Sequence, residues 1–171
     1  MQNTEDPKQA IEKIYEKIKD VDIAMLTTAD KEKGTLHSRP MSTNKQVDPD
    51  GTIWFFTYDD SLKADEVAQD NNVNLSYAEP AKQLYVSVSG TARIVKDKAK
   101  MQELWNPVLK AWFPDELETP NIALLKVSPT EAEYWDANSN KMVQLFQMVR
   151  AIVTGTQADY GEHAKIEMKS R

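Results

Sequence analysis

The longest strand pattern in the chain, over residues 83–95 (QLYVSVSGTARIV), restricts the fold more than any other feature. Apolar side chains alternate with polar or aromatic ones over its first part, the period of two expected of a strand with one buried face. Gly90 interrupts this pattern in mid-strand, where a glycine typically marks a β-bulge or a sharp bend. A long strand that bends in its middle favours an antiparallel barrel, closed or nearly closed.

The other segments predict a mainly β chain with flanking helices. Strand patterns cover residues 23–28, 35–41, 52–58, 73–77, 121–127 and 131–135, and the last two are predicted to be separate strands joined at Ser128-Pro129-Thr130. Helical spacing covers residues 6–20, 61–71, 98–105 and 142–153. We expect one domain over residues 1–157, followed by a polar, loosely ordered tail over 158–171.

Residues 34–63 carry the pattern that most suggests a function. Two of the strands flank the turn sequence Asp48-Pro49-Asp50-Gly51, and Ser61-Leu62-Lys63 then begins a helix. A helix N-terminus offers backbone N–H groups to an anion, and here a hydroxyl and a lysine lie beside them. Arg39 adds a second positive charge from the neighbouring strand. This stretch predicts a pocket for a phosphorylated, aromatic small molecule.

Composition excludes several classes of function. The chain has 27 acidic and 21 basic residues, a net charge of -6, which disfavours binding to nucleic acid or to an anionic membrane. It has no cysteine, so disulfides and thiolate chemistry are excluded, and its two histidines, His37 and His163, are too far apart in sequence to suggest a metal site. No apolar run approaches the about 20 residues of a membrane span. We expect a cytoplasmic protein without a bound metal.

Five short motifs follow one another along the chain: Arg39-Pro40-Met41, Phe55-Phe56-Thr57, Ser61-Leu62-Lys63, Asn71-Asn72-Val73 and Val86-Ser87-Val88-Ser89-Gly90. Their order and spacing resemble the flavin-binding split-barrel family related to pyridoxamine 5'-phosphate oxidase, and most closely its bacterial general-stress branch. The resemblance implies a six-stranded antiparallel split β-barrel that forms a homodimer, with two FMN sites at the subunit interface.

The resemblance also implies roles for individual residues. One group would contact the flavin from within one subunit: Arg39, Pro40 and Met41 along the isoalloxazine edge, Phe56 and Thr57 along the ring and ribityl chain, and Ser61 and Lys63 at the phosphate. A second group matches family positions that reach the flavin from the other subunit or lie near it: Tyr85, Ser87 and Trp135.

Three departures from the family pattern concern activity. Leu62 replaces the first of two adjacent cations at the phosphate, and Asn44 replaces a lysine that follows the arginine strand. After Trp135 the oxidase has an Arg-x-His segment that grips its vitamin substrate, whereas residues 136–142 here contain neither Arg nor His. The resemblance therefore does not extend to the oxidase activity. A flavin-dependent oxidoreductase and a non-catalytic protein that stores or senses flavin in a stress response remain alternatives.

The cofactor implied is FMN, because no Gly-rich dinucleotide loop offers a place for the second phosphate of FAD. A deazaflavin or haem remains an alternative in relatives of this barrel.

Other residues have simpler interpretations. Trp105, Trp112 and Phe113 either pack under a loop or cover the flavin or a dimer contact. The acidic pair Asp65-Glu66 is expected to be solvated, as charges at a helix start usually are. For His37 a surface or a hydrogen-bonded structural role is favoured over that of a proton donor.

Overall fold

The computed structural model describes residues 7–137 and 162–167, so the predicted helix over 142–153 and the predicted N-cap Asp6 lie outside the described residues. Three helices and seven strands are described: α1 (Pro7–Ile18), β1 (Ile23–Asp30), β2 (Thr35–Ser42), β3 (Ile53–Tyr58), α2 (Leu62–Gln69), β4 (Asn72–Glu79), β5 (Leu84–Val95), α3 (Lys98–Leu104), β6 (Ile122–Asp136) and β7 (Glu162–Glu167). The predicted helices and strands within the described residues agree with these bounds to within a few residues, except at β6 and β7.

The strands form one antiparallel sheet in the order β2-β1-β4-β5-β6-β3. This sheet curls into a split barrel. β2 and β3 are the edge strands at the two ends of this order, and β7 pairs with β6 outside it. The predicted fold class, mainly β with flanking helices, is confirmed. β6 is long enough to pair with β3 through residues 122–127 and with β7 through residues 131–136. The expectation of a loosely ordered tail is therefore wrong for residues 162–167, which form β7.

The two strands predicted over 121–127 and 131–135 are one continuous strand, β6. Its register against β5 shifts between Ser89 and Gly90, which pair with Glu131 and Pro129. Thr130 is the extra residue of a β-bulge. Because a bulge interrupts the ladder, Pro129 fits inside the strand despite having no N–H group. Of the bulge or bend predicted at Gly90, the structure has the bulge, and Pro129 belongs to the same irregularity.

The barrel interior holds the larger of two hydrophobic clusters. Ala10, Ile14 and Ile18 recur every four residues along α1 and bury that face against the barrel core. A second cluster lies on the other side of β3, where Trp54 and Phe56 pack against α3 and the turns that follow it. β3 is therefore covered on both faces. In the described part of the chain, no helix is long and apolar enough to cross a membrane.

Candidate functional site

Residues of the predicted anion pocket come together at the split between the two edge strands. Arg39 lies on β2, Thr57 lies on β3, and Lys63 lies in the first turn of α2. The Lys63 Nζ atom donates a hydrogen bond to Thr57 Oγ1 at 3.2 Å. The arginine and lysine are close enough for their positive charges to interact. Two cations and a hydroxyl thus lie near one another between β2, β3 and α2.

Lys63 is a partly buried cation. Among the described residues its one hydrogen bond is to Thr57, and no carboxylate lies within ion-pair distance of its ammonium group. Burial lowers the pKa of Lys63 below its ordinary value, and repulsion from Arg39 lowers the pKa further. An anion between the two cations would offset both effects, so the surroundings of Lys63 suit an anionic ligand.

Ser61 occupies the N-cap position of α2, but its side chain caps no helical N–H group. Its Oγ atom donates instead to the Tyr58 carbonyl at 2.7 Å. The first N–H groups of a helix have no partner within the helix. Here the Ala64 and Asp65 N–H groups donate to the Ser61 carbonyl at 2.9 and 3.2 Å. Of the first turn of α2, the N–H groups of Leu62 and Lys63 therefore remain for a phosphate.

The solvated position expected for Glu66 is wrong, because its side chain is only 3% exposed. Its Oε2 atom accepts hydrogen bonds from Thr28 Oγ1 at 2.5 Å and from Arg39 Nη2 at 2.8 Å. Its Oε1 atom contacts His37 Nδ1. The hydrogen-bonded role favoured for His37 is thus observed, whereas Asp65, the other member of the acidic pair, is exposed.

The carboxyl group of Glu66 stays ionised despite its burial. Desolvation raises its pKa, but hydrogen bonds from Thr28, His37 and Arg39 outweigh desolvation and leave the pKa below its usual value. One sequence signal pointed to this position: Lys63 and Glu66 are three residues apart and share a face of α2 with the buried Val67. An acidic residue on the apolar face of a helix needs a cationic partner.

The predicted flavin-ring residues have mixed environments. Pro40 is exposed and Met41 is buried in the barrel core. Phe56 packs edge-on against Trp105, with ring centroids 5.6 Å apart, and lies 6.0 Å from Phe113. Phe56 therefore packs within the second hydrophobic cluster. Its ring has no exposed face for the contact with the flavin that the resemblance implies.

The aromatic stretch after α3 is mostly packing. Phe113 is buried within the single chain and packs beside Tyr58, with ring centroids 4.9 Å apart. Tyr58 also donates its hydroxyl to the Trp112 carbonyl at 2.6 Å, which fixes the segment to β3. The Trp112 side chain itself is 51% exposed. Of the three aromatic residues in question, only Trp112 presents a large free surface.

Tyr85, Ser87 and Trp135 lie on the outer face of the sheet, opposite to the anion pocket. Tyr85 and Trp135 are directly paired across β5 and β6, and they are 45% and 42% exposed. The Ser87 hydroxyl accepts a hydrogen bond from Asn74 Nδ2 at 2.8 Å. The ten predicted site residues thus divide between two faces of the sheet, and one chain does not bring them together.

A metal-ligand geometry occurs beside the pocket. Asp30, His37 and Glu66 each place one potential ligand atom within 4.8 Å of the others. Glu66 is already paired with Arg39, while Asp30 accepts two backbone N–H groups of the turn after β1 and pairs with Lys33. Protein partners therefore occupy most of the donor atoms of this cluster.

The fold and the site agree with the family and the relatives that the chain resembles. The family described as Pyridoxamine 5'-phosphate oxidase like matches residues 9–159, and the chain belongs to this family. The protein bli-3 of Neurospora crassa is 30% identical over an alignment of 143 residues that covers 79% of this chain and 68% of that protein.

Two solved structures of general stress proteins are similar to the chain. General Stress Protein 26 from Bacillus anthracis is 26% identical, with a TM-score of 0.64 over 74% of this chain and 93% of that one. The general stress FMN/FAD binding protein from Xanthomonas citri is 33% identical, with a TM-score of 0.63 over 75% of this chain and 89% of that one.

Proposed function

We propose that this chain is a flavin-binding general stress protein whose cofactor is FMN. The observation that carries the proposal is Lys63, a partly buried ammonium group without a carboxylate partner among the described residues, beside Arg39 at the barrel opening. A relative that is 33% identical is an FMN/FAD binding protein, which supports a flavin as the ligand. The phosphate of FMN would lie between the two cations and the first turn of α2.

FMN fits this charge arrangement better than FAD does. Arg39 is already neutralised by Glu66, so Lys63 supplies most of the uncompensated positive charge. One terminal phosphate suits one such cation together with the N–H groups of Leu62 and Lys63 at the start of α2. The second phosphate and the adenosine of FAD would need partners that the described residues around Lys63 do not offer.

We expect purified protein to quench the fluorescence of FMN in titrations extending to high micromolar concentration. Riboflavin has the same ring but no phosphate, and we expect it to bind at least about tenfold more weakly, because a charge-assisted contact is lost. A titration with FAD in the same way compares the affinity for a ligand with one phosphate with that for a ligand with two. Absence of FMN binding over the whole range would contradict the proposal.

The division of the site between two faces supports a homodimer as the binding unit. The outer face of the sheet exposes neighbouring apolar residues, among them Met25 and Ile23 on β1 and Tyr85 and Trp135 on β5 and β6. A second copy seated on this face would cover these side chains and would bring Tyr85, Ser87 and Trp135 to the partner's pocket.

We expect Met25→Asp to shift the sedimentation coefficient from that of a dimer to that of a monomer, because it buries a charge in the proposed contact. Val108→Asp is the matched control, since Val108 is also an exposed apolar residue but lies in the turn after α3. If wild type sediments as a monomer at micromolar concentration with FMN present, the dimer is refuted.

The role of the bound flavin has two forms, electron transfer and storage or sensing. Anaerobic mixing with NADH or NADPH separates them through the flavin absorbance. Bleaching faster than about 1 per second lies in the range of enzyme turnover and favours an oxidoreductase. Flavin that remains oxidised for minutes with both donors favours storage or sensing. A cytoplasmic location is part of the same proposal.

A further inference from the structure

We infer that Glu66 is a positioning residue for the phosphate site, fixing Arg39 so that its remaining donors face the bound anion. The inference rests on the proposed function, since it concerns the same site. Glu66 itself is too deeply buried to be a ligand contact. It acts through the groups on its two oxygens, which come from β1 and from the edge strand β2.

The number of donors on Arg39 supports this role. A guanidinium group has five N–H donors in a rigid plane. Here Nη1 donates to Thr28 and Nη2 donates to Glu66. These two contacts fix the plane and leave three N–H groups for other acceptors. A long arginine side chain that is held in advance loses less conformational entropy when an anion binds.

Thr28 also helps to hold Arg39 in place. It is fully buried, and its hydroxyl accepts from Arg39 while it donates to Glu66. The three side chains therefore form a closed set of hydrogen bonds that joins β1, β2 and α2. Since β2 is an edge strand of the split barrel, this set also fixes the distance between Arg39 on β2 and Lys63 on α2.

Positioning and simple neutralisation predict opposite effects of removing the Glu66 charge. If Glu66 only neutralised Arg39, its loss would leave a more positive pocket, and FMN would bind more tightly. If Glu66 positions Arg39, its loss would release the guanidinium group, and the part of the affinity that comes from the phosphate would fall. The sign of the change in affinity therefore separates the two roles.

The experiment measures dissociation constants for FMN and for riboflavin with wild type, Glu66→Gln and Thr28→Val. Riboflavin reports on the ring site alone, so the ratio of the riboflavin constant to the FMN constant isolates the phosphate contribution. Thr28→Val keeps the size and the charge of the site but removes the hydroxyl that holds Arg39. Thermal melting without ligand establishes that each variant is folded.

For both variants we expect this ratio to fall about tenfold, with riboflavin binding changed less than about twofold. An unchanged or increased ratio in a folded Glu66→Gln variant overturns the positioning role. If Glu66→Gln does not fold, Thr28→Val decides in the same way. Wild type that fails to bind FMN would instead reject the proposed function, so the two failures are distinguishable.

Discussion

Replacing Gly90 by alanine is expected to destabilise the protein by on the order of 3 kcal/mol, because the new methyl group has no space. A Cβ atom at this position would lie 2.3 Å from the Ser128 carbonyl oxygen and 3.0 Å from the Pro129 Cα atom. Both are backbone atoms of β6, so neither can move aside without disturbing the bulge. For a chain of this length the melting temperature should fall by roughly 6–12 °C.

Gly34→Ala is the control for a general effect of losing a glycine. Gly34 has a positive φ of 64°, but nothing lies within 4 Å of the Cβ position that the substitution adds. Its expected cost is about 1 kcal/mol, from backbone conformation alone. Calorimetry of both variants should therefore give a clearly larger loss at Gly90. Equal losses would mean that β5 and β6 are not as close at the bulge as the structure places them.

The sequence predicted the local structure well because local structure depends on neighbouring residues. Alternation in β5 and the interruption at Gly90 predict a long strand with a bulge or a bend, and the structure has a bulge in the β5–β6 pairing at that residue. The sequence could not show that Pro129 lies opposite Gly90, since the pairing joins residues far apart in the chain. Proline was therefore interpreted as a break between two strands, although a bulge accommodates it inside one.

The candidate site was harder to predict, because burial of a charged residue depends on its partners. Lys63 and Arg39 are predicted from the helix start and the neighbouring strand, and in the structure they are close enough for their charges to interact. Glu66 was missed because an acidic residue near a helix start is usually solvated. Its burial depends on Thr28, His37 and Arg39, which come from other strands and which no local pattern links to it.

Substituting Lys63 by methionine should weaken FMN binding while leaving the ligand-free protein as stable as wild type or more stable. The loss of a charge-assisted contact to the phosphate is expected to cost on the order of 1.5–3 kcal/mol, about 10- to 150-fold in the dissociation constant. The stability of the ligand-free protein should not fall, because Lys63 has no carboxylate partner among the described residues and because burial disfavours its charged form. Methionine has a similar length and needs no hydration.

The pH dependence of FMN binding is a second test of the role of Lys63. The pKa of Lys63 is lowered by burial and by Arg39, so the ammonium group loses its proton at a lower pH than an ordinary lysine does. FMN affinity should therefore fall as the pH rises through this lowered pKa, since the phosphate favours the charged form. In the same pH range the unfolded chain binds more protons at Lys63 than the folded chain, so the stability of the ligand-free protein should rise.

Lys63→Arg keeps its charge at every pH used and should abolish the fall in affinity, while any ionisation of FMN itself remains common to both proteins. Parallel curves for wild type and Lys63→Arg would mean that Lys63 does not hold the phosphate. If FMN affinity falls with pH only in wild type, and if the Lys63→Met protein is stable, Lys63 both binds the anion and lowers the stability of the ligand-free protein.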